Sequence, residues 1–124
     1  MQVSKLDVAK DVEQKIFRSL YQVLADLKNP NDVAKFLDDV LSDTERTVLA
    51  KRLGIAVYLS KNRSYESIRR DLRVSSATIA SVQKWLEHSG EGLMLALKRI
   101  EADEWAAVAA GKIAASFKRA FKRN

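Results

Sequence analysis

The chain has 124 residues, which sets the expectation of one domain with a modest core. It holds no cysteine and a single histidine, so disulfides, thiol chemistry and a Cys/His metal cluster are excluded. The net charge is +6 and unevenly placed: residues 1–60 are balanced at nine basic and nine acidic, 61–90 hold six basic and three acidic, and 91–124 hold seven and four. A basic excess that begins halfway along the chain fits a polyanionic partner for the second half.

Four glycines and one proline leave long uninterrupted stretches, which favours an all-α protein. No segment approaches 18 apolar residues, and "MQVSKLDVAKDVEQ" lacks the apolar centre of a secretory signal. No membrane partner is expected, and the lack of cysteine fits a cytoplasmic location.

Residues 7–27 read as one amphipathic helix. Val8, Val12, Ile16, Leu20 and Leu24 recur every four residues, and Phe17, Tyr21, Val23 and Leu27 widen the stripe. Such a face packs either on its own domain or on a second chain. In "LKNPNDVAKFLDDVL", Asn29 is placed to cap and Pro30 suits the first helical position. Val33, Phe36, Leu37 and Val40 then give an inward face. "SDTERTVLAKRLGIAVYLSKN" opens with a capping box, Ser42 and Glu45. Val48, Leu49, Leu53, Val57 and Leu59 are expected on its buried face. Gly54, which costs about 1 kcal/mol against alanine in a helix interior, points to close packing.

"SYESIRRDLRVSSATIASVQKWL", from Ser64 to Leu86, reads as two short helices around a tight corner, with the hairpin spanning 64–88. Ile68 and Leu72 form the inner face of the first helix. Val74 fills the corner, and Ile79, Val82 and Leu86 form the inner face of the second. Ser75 is placed to cap, with Val74 and Ile79 as a hydrophobic staple. The outer face is Ser76, Ala77, Thr78, Ala80, Ser81, Gln83 and Lys84. These small or polar side chains suit close approach to base edges. Arg63, Arg69, Arg70, Arg73 and Lys84 surround it and could neutralise phosphates. This is the pattern of a DNA-reading helix-turn-helix; the plainer alternative is a basic hairpin with a solvated face. Arg73 occupies the corner. If the backbone there is left-handed, arginine carries a cost of about 1–2 kcal/mol that glycine avoids, set against a possible phosphate contact.

Gly90 and Gly92 mark a break, and residues 93–121 read as a last helix or a helix pair divided at Gly111. Its apolar positions are Leu93, Leu97, Ile100, Trp105, Val108, Ile113, Phe117 and Phe121. The tail carries Lys112, Lys118, Arg119, Lys122 and Arg123 without an acid. It fits three roles: following a DNA backbone, lying on an anionic surface, or packing its apolar face with solvated lysines outside. A basic end also suits a helix C-terminus. His88, at a helix end, fits dipole capping, and Glu101, Asp103 and Glu104 fit solvated surface. No nucleophile–base pair, glycine-rich phosphate loop or metal site is visible, so neither an enzyme nor a cofactor is expected.

Residues 36–86 resemble the Trp repressor superfamily through "LSDTERTVLAKRL", "SYESI" and "VSSATIASV", within the Trp-repressor-like proteins of the YerC/YecD type. The resemblance implies an intertwined helical homodimer in which the first two helices and the last interlock between chains. Residues 1–90 would form the helix-turn-helix domain and 91–124 a C-terminal helical extension with a basic end. It implies a transcriptional regulator whose partners are double-stranded DNA and a second copy, at the nucleoid. The candidate DNA-contacting residues, read from the hairpin itself, are Arg63, Arg69, Arg70, Arg73, Ser75, Ser76, Ala77, Thr78, Ala80, Ser81 and Lys84. The superfamily often has arginine where this chain has Ser81, a departure that weakens the DNA-reading expectation. In the repressor's effector pocket, Arg52 matches one arginine and Ser42 replaces a threonine. The second arginine falls at Ser81, a small residue at Val82 and a serine at Trp85. With that arginine absent, tryptophan is not the expected effector, and Arg52 is expected to pair with an acidic neighbour instead. The competing function is a helical interaction module, or a non-specific nucleoid-type DNA binder, that has lost operator reading.

Overall fold

Six helices and no strand make up the described residues. The computed structural model describes the backbone of residues 9–88 and 90–121, and the side chains of these through Glu104 with Ala106 and Gly111. Val8, Trp105, Val108, Ile113, Phe117, Phe121 and the basic tail side chains Lys112, Lys118, Arg119, Lys122 and Arg123 lie outside it. Two units divide the chain, Met1–Arg46 and Thr47–Asn124.

In the first unit, α1 runs Lys10–Asp26. Its apolar residues, from Val12 to Leu24, are all exposed in the single chain. α2 (Pro30–Val40) starts as the sequence indicates: the Asn29 side chain accepts from the Asn31 N–H at 2.8 Å, and Pro30 sits in the first turn, where no N–H is needed. Val33, Phe36 and Leu37 are half-buried, but Val40 is 54% exposed. As the last residue of α2, Val40 sits where the chain already turns extended at Leu41, so the inward stripe ends one turn early.

α3 (Asp43–Ser60) opens with the reciprocal capping box. The Glu45 N–H donates to Ser42 Oγ at 3.1 Å, and the Ser42 N–H donates to Glu45 Oε1 at 2.8 Å. The backbone donor at Ser42, and next its hydroxyl, hold the Glu45 carboxyl below the usual carboxylate range. Arg46 pairs with Asp38 and, at 3.4 Å, with Asp43.

The second unit is built on Ile55 and Ala56 of α3, Ile68 of α4 (Tyr65–Leu72), and Ile79 and Val82 of α5 (Ser76–His88), all buried. Leu59, Leu72, Val74 and Leu86 pack against this cluster, as do Leu93 and Leu97 from α6 (Glu91–Phe121). Lys61 pairs with Glu104 of α6 at 3.0 Å. The inner faces expected of the hairpin are therefore the ones it buries. On α3 the expectation holds only in part: Val57 and Leu59 are half-buried, but Val48, Leu49 and Leu53 are exposed, and Ile55 and Ala56 are the fully buried residues. Apolar residues occur all round α3, so helical periodicity alone could not choose its inner face.

α3 ends at Asn62 in the left-handed conformation (φ 57°). The Asn62 N–H bonds to the Leu59 carbonyl and the Arg63 N–H to the Tyr58 carbonyl, a Schellman closure in which asparagine is well tolerated. Between α5 and α6, the backbone at Gly90 approaches so closely that a Cβ would lie 2.6 Å from the Trp85 carbonyl oxygen. α6 is continuous through Gly92 and Gly111, so no helix pair forms.

At Gly54, α3 packs closely on α4: a Cβ there would meet Leu72 Cδ1 at 3.3 Å. Alanine's better helix propensity competes with that squeeze, but a branched side chain overfills the site. Gly54→Val is expected to destabilise by about 1–3 kcal/mol, read as a lower urea midpoint at unchanged slope.

Candidate nucleic-acid interface

α4 begins with a cap. Ser64 Oγ accepts from the Ser67 N–H at 3.1 Å. It ends at Arg73, whose backbone is left-handed (φ 54°, ψ 55°), with its N–H bonded to the Arg69 carbonyl at 2.9 Å. The corner is thus the glycine-type closure, made with arginine. Val74 is half-buried against the core, and Ser75 opens α5. Ser75 Oγ accepts from the Thr78 N–H at 3.2 Å and lies 2.9 Å from Thr78 Oγ1. With Ile79 buried four residues after the cap, the staple fixes the angle at which α5 leaves the corner.

Arg63, Arg69, Arg70, Arg73, Ser75, Ser76, Ala77, Thr78, Ala80, Ser81 and Lys84 are all exposed. They lie on α4, the turn before it, the corner and α5. Several hydroxyls are already engaged within α5. Ser75 and Thr78 share a bond, and Ser81 Oγ donates to the Ala77 carbonyl at 3.1 Å. Gln83 departs from the expected outer face. It is half-buried, accepts from the Tyr65 hydroxyl and donates to Glu87 at 3.2 Å, so it ties α5 to α4.

Two of the arginines share a hub that the sequence reading missed. The Tyr58 hydroxyl donates to Asp71 Oδ2 at 3.0 Å, and Arg70 Nε donates to Asp71 Oδ1 at 3.2 Å. The Arg63 guanidinium lies 5.8 Å from the Tyr58 ring centroid, a cation–π distance. The Tyr58 hydroxyl, and next Arg70, hold the Asp71 carboxyl below its usual range, while the Asp71 carboxylate pushes the Tyr58 hydroxyl up. Arg63 and Arg70 are thereby held at the edge of α4. Arg69, Arg73 and Lys84 have no ion pair among the described residues.

The residues carried over to an effector pocket are engaged internally. Ser42 is spent on the α3 cap. Arg52 stacks on the Trp85 ring, 5.6 Å from its centroid, rather than pairing with an acid as expected. The electron-rich face of the indole ring attracts the guanidinium. Val82 is buried in the core. Among the described residues, no three acidic or histidine side chains gather as a metal site, and no helix is long and apolar enough to cross a membrane.

Comparison with known proteins agrees with this geometry. The family model described as Trp repressor protein matches residues 15–101, well beyond the 36–86 segment that carries the motifs. The uncharacterized protein YerC of Bacillus subtilis is 30% identical over 104 residues, covering 84% of this chain and 94% of that protein. A Staphylococcus aureus crystal structure described as a candidate Trp repressor superposes with a TM-score of 0.66 at 23% identity, covering 75% of this chain and 96% of that one. The fold is therefore Trp-repressor-like, with a helix-turn-helix at α4–α5.

The hub has a defined pH signature. Asp71 is depressed, so its contribution is present above the ordinary carboxylate range and lost as pH falls through the lowered value. Tyr58 is raised, so its contribution is present below the ordinary tyrosine range and lost as pH rises through the raised value. The stability difference between the native chain and Tyr58→Phe is expected to be level across neutral pH and to shrink at both extremes. Urea midpoints across pH check this; a difference that persists unchanged into strong acid would contradict the link.

Proposed function

The chain belongs to the Trp repressor protein family, and on that premise we propose that it is a homodimeric regulator of transcription that reads DNA sequence through α5. One observation carries the proposal. α5 presents the exposed small side chains Ser76, Ala77, Ala80 and Ser81, between exposed cations on α4, at the corner and at Lys84. Small side chains let the helix backbone come close to base edges, alanine suits a thymine methyl, and the cations suit phosphates on either side.

The exposed apolar face of α1 supports the dimer, because a second copy is what would remove that face from water. A two-fold pair would place two α5 helices about one DNA turn apart, roughly 34 Å, and favour a near-palindromic site. Residues 1–90 would then form the DNA-reading domain, and 91–124 would extend it. Tryptophan is not the proposed effector. Ser81 supplies no cation for a carboxylate, Val82 belongs to the core and Trp85 is covered by Arg52. The engagement of Ser81 with the Ala77 carbonyl favours a second reading, a charge-driven nucleoid-type binder.

Selection from a random duplex pool at two salt concentrations separates the two. The intact chain is expected to enrich a near-palindromic sequence. Arg69→Ala/Arg70→Ala/Lys84→Ala is expected to bind more weakly, with a salt slope reduced by about two to three, since each phosphate contact contributes about 0.9. Binding without enrichment would favour the nucleoid-type reading. No binding by an intact dimer would overturn both.

A further inference from the structure

Three positions on one face of α3 meet three successive residues at the end of α4. Tyr58 donates to Asp71 at 3.0 Å, the Gly54 backbone packs against the Leu72 side chain, and Lys51 Nζ donates to the Arg73 carbonyl at 3.2 Å. Residues 51, 54 and 58 are spaced as neighbours along a helix face, so one face of α3 runs along the corner as a splint. Its last contact falls on the one residue of the helix-turn-helix whose backbone is left-handed.

Arginine in that conformation is disfavoured by its Cβ, and glycine is not. The Arg73 N–H is held by the Arg69 carbonyl, and its carbonyl is held by Lys51, an α3 residue 22 positions earlier. Both backbone polar groups of the strained residue are therefore engaged, the N–H within α4 and the carbonyl from α3. Strain at a single residue persists when its surroundings over-determine it, and Lys51 supplies the tertiary part of that constraint. Arg73 itself is exposed, so the corner keeps an outward cation at a position where glycine would offer none. Lys51 is half-buried, with its ammonium directed at a backbone oxygen.

We propose that Lys51 is a positioning residue for sequence reading: it holds the left-handed corner at Arg73 and so sets the angle of α5, without touching DNA. The proposal rests on the DNA-reading function above. It assigns Arg73 and Lys51 as one device, an outward cation made tolerable at a glycine-type corner by a second cation behind it.

A double-mutant cycle tests it. Lys51→Met and Lys51→Arg are made in the native chain and in Arg73→Gly, and each is measured for binding to the enriched duplex and to a scrambled one across salt, and for thermal midpoint. In the native background Lys51→Met is expected to lower the preference for the enriched duplex about three- to tenfold. The salt slope stays unchanged, because no phosphate contact is lost. The midpoint falls by a few degrees, roughly 2–6 °C. In the Arg73→Gly background both effects fall to less than half, since glycine holds the corner unaided. Lys51→Arg restores most of the native behaviour. A slope reduced by about one in both backgrounds would make Lys51 a phosphate contact and overturn the proposal. An equal effect of Lys51→Met in both backgrounds, or none in either, would also overturn it. If the native chain enriches no duplex, the DNA-reading function fails, and the midpoints alone decide whether Lys51 and Arg73 are coupled.

Discussion

The left-handed backbone at Arg73 is the constraint on which the helix-turn-helix depends. A tight corner between α4 and α5 needs one residue with positive φ, and this chain provides it without glycine. The helices can then bury Ile68, Ile79 and Val82 together over Ile55 and Ala56. The core and the corner support each other. Burial of four large aliphatic side chains fixes how the helices face, and the corner fixes where the second one starts. α3 is the element that touches both, with Ile55 and Ala56 in the core and Lys51, Gly54 and Tyr58 along the end of α4.

That arrangement shapes the charges outside. The Asp71 carboxylate draws in Tyr58 and Arg70, and the Tyr58 ring lies under Arg63. The edge of α4 therefore sets two arginines, Arg63 and Arg70, around one acid through Tyr58 and Asp71. On α5, Arg52 is drawn onto Trp85, and Gln83 is drawn toward Tyr65. What remains outward at the start of α5 is small, two alanines with serine and threonine hydroxyls, and Lys84 follows one turn on. In the proposed function, shape and close approach supply the reading and the flanking arginines supply the affinity.

Much of this was legible in the sequence. The caps at Asn29, Ser42, Ser64 and Ser75 are local, so residue type and spacing reveal them. The inner faces of α4 and α5 follow from spacing around a short corner. Gly54 announced a close contact, and Leu72 is that contact. The buried side of α3 was only partly legible: Val57 and Leu59 were expected inward and are half-buried, but Val48, Leu49 and Leu53 looked as good as Ile55, and only the helices packed on α3 decide between them. Arg52 was assigned an acidic partner by charge alone, but an aromatic ring on α5 took that place. Tyr58, Asp71 and Lys51 were missed because their partners lie 13 and 22 residues away, beyond the reach of any helical spacing rule. The 51–54–58 spacing was the available signal, and it acquires meaning only once α4 is known to lie along it. The stripe of α1 reads as a face packed either on its own domain or on a second chain; it is exposed in the single chain, and a second copy is the partner we propose.

The most direct test of this account is the backbone of Arg73 in solution, read by NMR from its intraresidue amide–α-proton contact and its α-carbon shift, in the free chain and with DNA. A corner preset by α3 predicts the left-handed conformation in both states, with no change on adding DNA. An Arg73 that is right-handed, extended or averaging in the free chain, and left-handed only when DNA is present, would contradict it.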